Sequence, residues 1–212
     1  MTEHTDPGHT KPEHTKTDVT GGVIDEEQFA SQIATQIETF LIALREIARE
    51  GNGSQAVSLL LLEISQVLLA GARLGAQMDF QPREEYQPDV GPEADIDELR
   101  LRLAEMLDSV DTYSFVFDPY VPEVVISQLS DDLASIATDL DNGLRHYKRG
   151  DIAEALWWWQ FSYVNNWGNL AGAALNALLT VVAHDRFDTD FEADAEAVAV
   201  ANEILGEVGP QA

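Results

Sequence analysis

None of the 212 residues is a cysteine, which removes disulfide scaffolds, thiolate zinc sites and cysteine nucleophiles in one step. Basic residues are scarce as well: 12 lysines and arginines stand against 38 acidic residues, a formal net charge of −26. Such a surface repels phosphate backbones and anionic headgroups, so neither direct nucleic-acid contact nor membrane binding is expected. Solubility in a crowded or salty cytoplasm accounts for the charge more simply than a dedicated basic partner does. The N-terminus carries Glu3 and Asp6 where a leader would be apolar or Arg-rich, so no secretory or transit segment is expected and the expected location is cytoplasmic. Phosphate-cradling loops, nucleophile–base pairs and metal-ligand clusters are also lacking. The balance leans against an enzyme, and no cofactor or metal is expected.

What is present is a hydrophobic content of 45%, enough for one sizeable core at this length, so a single domain over residues 23–208 is expected. Residues 1–22 are polar, Thr-rich and broken by Pro7 and Pro12, and read as a disordered tail whose evenly spaced His4, His9 and His14 lack a carboxylate framework for metal. Within the domain, residues 23–78 read as a helical hairpin, 79–95 as an acidic proline-rich loop, 96–185 as the central part and 187–207 as a last amphipathic helix. Asp25 should cap the first helix, whose stripe runs through Phe29, Ile33, Phe40, Leu41 and Leu44. Gly51-Asn52-Gly53 closes that helix. The second, from Ser54 to about Met78, has only a narrow polar strip, so most of its circumference should be covered. Glu63 and Gln66 interrupt its apolar run below the span length of about twenty residues, which argues against a membrane helix. Gly71 and Gly75, one turn apart, would allow a close helix approach.

A capping box at Asp95 and Glu98 should start the third helix, and Ser130 should cap the fourth. The fourth helix carries Asp132, Asp139 and His146 seven residues apart. That spacing is about 10 Å along a helix, too far for neighbours to share a metal, and the row reads as a solvated face. Tyr113 to Tyr120 alternates aromatic and polar residues; with no second strand to pair, it reads as an extended connection.

All four tryptophans lie between Asp151 and Asp185. Asp151 and Glu154 form a capping pair and no proline follows, so a helix of about thirty residues is permitted, weakest at Gly168 and Gly172. On a helical wheel Glu154, Trp158, Ser162, Asn165, Asn169, Asn176 and Thr180 fall in one polar arc. Trp157, Trp159, Phe161, Tyr163 and Trp167 read as core. The expected architecture is therefore all-α: a compact bundle of about six helices around a long Trp-rich helix.

Two residues depart from the wheel. Trp158 is a large aromatic in the polar arc, and with Asn165, Asn169 and Asn176 it forms a candidate interaction surface. Gln160 sits among apolar positions, where an unpaired amide would cost roughly 1–3 kcal/mol. With Trp159, Tyr163 and Asn166 it forms a candidate pocket. A structural account stands beside each: Trp158 lies over the acidic loop, and Gln160 is satisfied by a backbone carbonyl.

The segments Val116-Phe117-Asp118-Pro119, Leu129 to Leu133, Trp157-x-Trp159-x-Phe161 and Trp167-Gly168 together resemble an uncharacterised, mainly actinobacterial family of unknown function, DUF5063, over about residues 25 to 185. The resemblance implies histidine at the positions of Asn166 and Leu170 and arginine at that of Gln160; this chain has none of the three, so no catalytic residue carries over. Tyr147 to Asp151 also resembles the turn of a tetratricopeptide hairpin, but no second copy follows at that period. The leading expectation is a non-enzymatic acidic helical interaction module that binds an unidentified protein partner or itself. The alternatives are a small-ligand-binding or enzymatic domain at Trp159, Gln160 and Asn166, and an acidic mimic of nucleic acid that binds a basic DNA-handling protein.

Overall fold

A computed structural model describes residues 25–83, 90 and 96–207. The tail expected over residues 1–22 and the Asp95 cap lie outside the described residues. Helix α1 (Glu26–Glu50) begins at Asp25, whose Oδ1 accepts from the Glu27 and Gln28 amides at 3.1 and 3.2 Å, a cap of about 1 kcal/mol. Its stripe, including Ile33, Ile37, Phe40 and Leu44, is fully buried. Each such side chain contributes roughly 1.5–3 kcal/mol on leaving water. The chain turns at Gly51, where a Cβ would overlap Met106 and Ala56, and returns as α2 (Gly53–Gly75).

Helix α2 packs on α1 and on α6, and its inward face buries Leu60, Ile64, Val67 and Leu74. The expectation that most of its circumference is covered needs correcting: Leu59, Leu62 and Leu69 are 41%, 51% and 60% exposed. By length and composition alone α2 could also cross a membrane, over Gln55–Gly75, contrary to the length argument made from Glu63 and Gln66. Helix α3 (Asp97–Leu107) buries Leu103 and Leu107 and leads through a short 3-10 turn, Asp108–Val110, into strand β1 (Thr112–Asp118).

Here the all-α expectation is overturned. Residues Val121–Gln128 form a second strand, β2, antiparallel to β1, with Tyr113 opposite Ser127, Phe115 opposite Val125 and Val116 opposite Val124. The run Val124-Val125-Ile126 supplies the β-branched residues a strand favours, and Asp118-Pro119-Tyr120 supplies the turn, with the Tyr120 amide donating to Asp118 Oδ1 at 2.8 Å. The fold is mostly helical with a two-stranded sheet.

Helix α4 (Leu129–Lys148) follows without a loop. Ser130 is not its cap; instead Asp111, at the foot of β1, accepts from the Ser130 amide at 2.8 Å and from its hydroxyl at 2.9 Å. A carboxylate thereby satisfies a free amide in the first turn of α4. After Gly150 (φ +87°) come α5 (Ile152–Ser162), a π-turn (Tyr163–Trp167) and α6 (Gly168–Glu207), which run as one helical path. The path continues past Asp185, so the separate last helix expected from about Phe187 is part of α6, and the described residues form a bundle of five rods. Trp159 and Trp167 are fully buried at its centre, and the Trp159 indole donates to the Leu140 carbonyl at 3.0 Å. Gly71 on α2 permits close approach, as its spacing suggests, and what fits there is the Tyr163 and Trp167 rings.

Candidate functional site

The polar residues of the Trp-rich helix do not share one face, because the π-turn divides them. The Gly168 amide donates to Tyr163 five residues back, which inserts one residue into the ladder and rotates everything beyond by roughly a quarter turn. Before the turn the arc points inward. Glu154 and Ser162 are buried, and Trp158 is half-buried, stacked on His146 with ring centres 6.2 Å apart. Beyond it Asn169, Asn176 and Thr180 are exposed. Asn165, at the turn itself, is exposed and donates to the Phe161 carbonyl at 2.8 Å. Phe161, expected in the core, is 48% exposed and stacks on Trp157.

The row on α4 is likewise not a solvated face. Asp132 and His146 are buried and Asp139 is half-buried. Each meets a different element. Asp132 accepts from the Tyr113 hydroxyl at 2.5 Å and from the Ser127 hydroxyl at 3.0 Å, which clamps both strands of the hairpin to α4. Burial pushes its carboxyl above the usual range, with the two hydroxyls opposing, and burial beside that carboxylate pushes the Tyr113 phenol up. Asp139 accepts from the Asn166 amide at 2.7 Å; burial raises its carboxyl and that bond opposes the rise. His146 is held below its ordinary value by burial, opposed by Asp151 and Glu154. Among the described residues, His146 Nδ1, Glu154 Oε2 and Trp158 Nε1 are buried without hydrogen-bond partners.

The four residues of the expected pocket face three different neighbours. Trp159 fills the core. Gln160 is buried against the C-terminal end of α2, where its Oε1 accepts from the Phe80 amide at 2.8 Å and its Nε2 donates to the Leu74 carbonyl at 2.9 Å. Tyr163 packs on Gly71 and Trp167, and Asn166 faces α4. Gln160 thus completes a helix end.

The cavity that two of the other candidates do reach lies between β1 and the start of α6. It measures about 490 Å³ and is lined by Phe115, Phe117 and Pro119 on one side and by Asn169, Gly172 and Asn176 on the other. Among the described residues, no ionisable side chain lines it. Its β1 wall takes consecutive residues from Ser114 to Phe117, from both faces of the strand, so the cavity opens along the strand's edge. The Leu129 amide donates to the Asp111 carbonyl at 2.8 Å, which sets the ladder's phase. By antiparallel alternation Tyr113 and Phe115 bond to β2, and the backbone groups of Ser114 and Val116 point away from it, along the groove. A Cβ on Gly172 would meet nothing within 4 Å. The groove therefore combines an unpaired strand edge, aromatic walls and two exposed asparagines. A smaller cleft of about 250 Å³, lined by Arg45, Arg49 and Arg102 among others, lies between α1 and α3.

Wheel reasoning found Asn169 and Asn176 but missed Phe115, Phe117 and Gly172, since the hairpin that carries the opposite wall was not foreseen. Val121 to Ile126, rich in valine, was the available signal.

The family model described as "Domain of unknown function (DUF5063)" matches residues 24–184, and the chain belongs to that family. Among solved structures, the chain is similar to the crystal structure of protein BF1032 from Bacteroides fragilis, with a TM-score of 0.59 and 20% identity over 73% of this chain and 95% of that one. This likeness extends to the fold. A search of curated proteins found no match.

Proposed function

We propose that this member of the DUF5063 family is a non-enzymatic interaction module whose groove between β1 and α6 takes an extended segment of a protein partner as a third strand. The observation that carries the reading is the outward-facing edge of β1 opposite α6. Ser114 and Val116 offer backbone donors and acceptors at strand spacing, Phe115 and Phe117 offer apolar contact to alternate side chains, and Asn169 and Asn176 offer amides from the far wall. The groove is uncharged within a chain of net charge −26, so the preferred segment is apolar and β-branched in the groove, with Lys or Arg in its flanks. Trp158 plays no part in this reading, since His146 of its own chain covers one face of it.

Selection from a random peptide library tests it. Wild type enriches apolar segments with basic flanks, and Gly172→Leu, which places a side chain in the open groove on an unperturbed helix, loses them. Failure to enrich any segment, or equal capture by the Gly172→Leu variant, overturns the reading.

A further inference from the structure

A second surface, on the far side of the Trp-rich helix from α4, is built differently. The outward arc of α2 carries Gln55, Ser58, Leu62, Ser65, Gln66 and Leu69, all exposed and none charged. Leu62 and Leu69 lie two turns apart at its centre, and Leu59 lies at its edge. Among the described residues α2 carries two ionisable side chains: Glu63 is half-buried, and Arg73 turns its guanidinium toward Gln32 and Gln36 of α1, at 2.5 and 3.1 Å, over the Phe29 ring. Helix α6 packs beside α2 and extends the surface: no residue from Gly168 to Ala183 is ionisable, and Val164 and Leu179 are 62% and 54% exposed.

We infer that this face joins two copies of the chain. Charge selects the occupant. Two copies of net charge −26 repel over most of their surfaces, so they approach closely only where charge is sparse, as it is here: the outward arc of α2 and residues 168–183 of α6 carry no exposed ionisable side chain. A basic partner would gain nothing from an uncharged face and would be drawn to the acidic remainder. Size agrees: 22 residues from Gln55 to Ala76 span about 32 Å, and two helix widths give roughly 600 Å², close to the roughly 800 Å² per partner of a stable dimer. Ser65 between the two leucines, with Ser58 and Ala72 beyond them, lets two helices approach closely. The α2 part of the face lies outside the lining of the β1 groove, whose helix wall is on α6, so substitutions at Leu62 and Leu69 test this inference independently of the groove.

Sedimentation velocity of the full chain up to about 100 µM tests it, with a Leu62→Asp/Leu69→Asp double variant. Both side chains are exposed, so the variant keeps its helical circular dichroism. Wild type sediments as a dimer that tightens several-fold as salt rises, because screening relieves like-charge repulsion, and the variant sediments as a monomer. A monomeric wild type, a dimer that survives the double substitution, or a dimer that weakens with salt overturns the inference. So does flotation of a monomeric wild type with phosphatidylcholine vesicles, abolished in the variant, which would assign the face to a membrane.

Discussion

Replacing Gln160 by leucine isolates the claim that this buried amide completes α2. The side chain is 6% exposed; its Oε1 accepts from the Phe80 amide at 2.8 Å, while its Nε2 reaches the Leu74, Met78 and Gln77 carbonyls at 2.9, 3.3 and 3.4 Å. Leucine nearly matches its volume and removes both groups. Leu74 retains a bond from the Gln77 amide at 3.1 Å, so the principal loss falls on the Phe80 amide, left without an acceptor in a half-buried position. One orphaned donor and one lost net bond, less the gain from apolar burial, cost about 2 kcal/mol. At this chain length that lowers the melting temperature by about 4–8 °C. Urea denaturation measures the free energy directly, and amide exchange at Phe80 locates it. Gln160→Glu keeps the acceptor for Phe80 but turns a carboxylate toward three carbonyls, so it destabilises further, increasingly as pH rises through the carboxyl's titration. A Gln160→Leu variant within about 0.5 kcal/mol of wild type would refute the reasoning, because the amide of Phe80 would then have an acceptor other than Gln160.

Gly143→Ala places a methyl into the Trp159 indole, which is fully buried and bonded to Leu140. Overpacking plus the lost bond destabilise by about 3 kcal/mol, with a shift in tryptophan emission, whereas Gly172→Ala meets nothing and gains up to about 1 kcal/mol of helix propensity. His146 carries a pH prediction. Its folded value is lowered from 6.5, so the stability it lends is present above pH 6.5 and lost as pH falls through the folded value. Asp151 and Glu154 oppose that shift and Arg149 adds to it. In a His146→Phe variant, which keeps the stack on Trp158, unfolding curves between pH 7.5 and 5 lose less stability than in wild type; an unchanged slope would contradict the assignment. Asp132 and Asp139, both raised by burial, act in the opposite sense and favour the fold as pH falls toward their folded values.

Most of the helical framework was legible because it follows from local rules. The Asp25 cap, the stripe from Phe29 to Leu44 and the glycine turn at Gly51 each depend on residues within a turn or two of one another. What escaped depends on distant partners. Strand β2 needed β1 to exist, and the alternation of Tyr113, Phe115 and Phe117 suggested a strand without naming its mate. Asp132 looked like a surface acid because nothing in its own helix accounts for burying a carboxylate; the hydroxyls that do, Tyr113 and Ser127, arrive with the hairpin. The π-turn had the widest effect. A wheel at 100° per residue placed Trp158 and Asn176 on one face, and a single inserted residue separated them: Asn169 and Asn176 line the groove, while Trp158 and Asn165 lie apart from it. The four residues of the expected pocket face different neighbours for a related reason, since residues close in sequence on a buried helix point to different elements.

The groove's central claim concerns backbone groups, so backbone exchange tests it most directly. With a peptide from the library selection bound, hydrogen exchange at the Ser114 and Val116 amides slows markedly while that at Val124 and Ile126, on the far edge of β2, stays unchanged. Substituting Val116 by proline removes an outward amide without breaking a ladder bond and weakens the peptide at least several-fold. Peptide binding with no added protection at Ser114 or Val116, or protection confined to Val124 and Ile126, would contradict strand addition at β1.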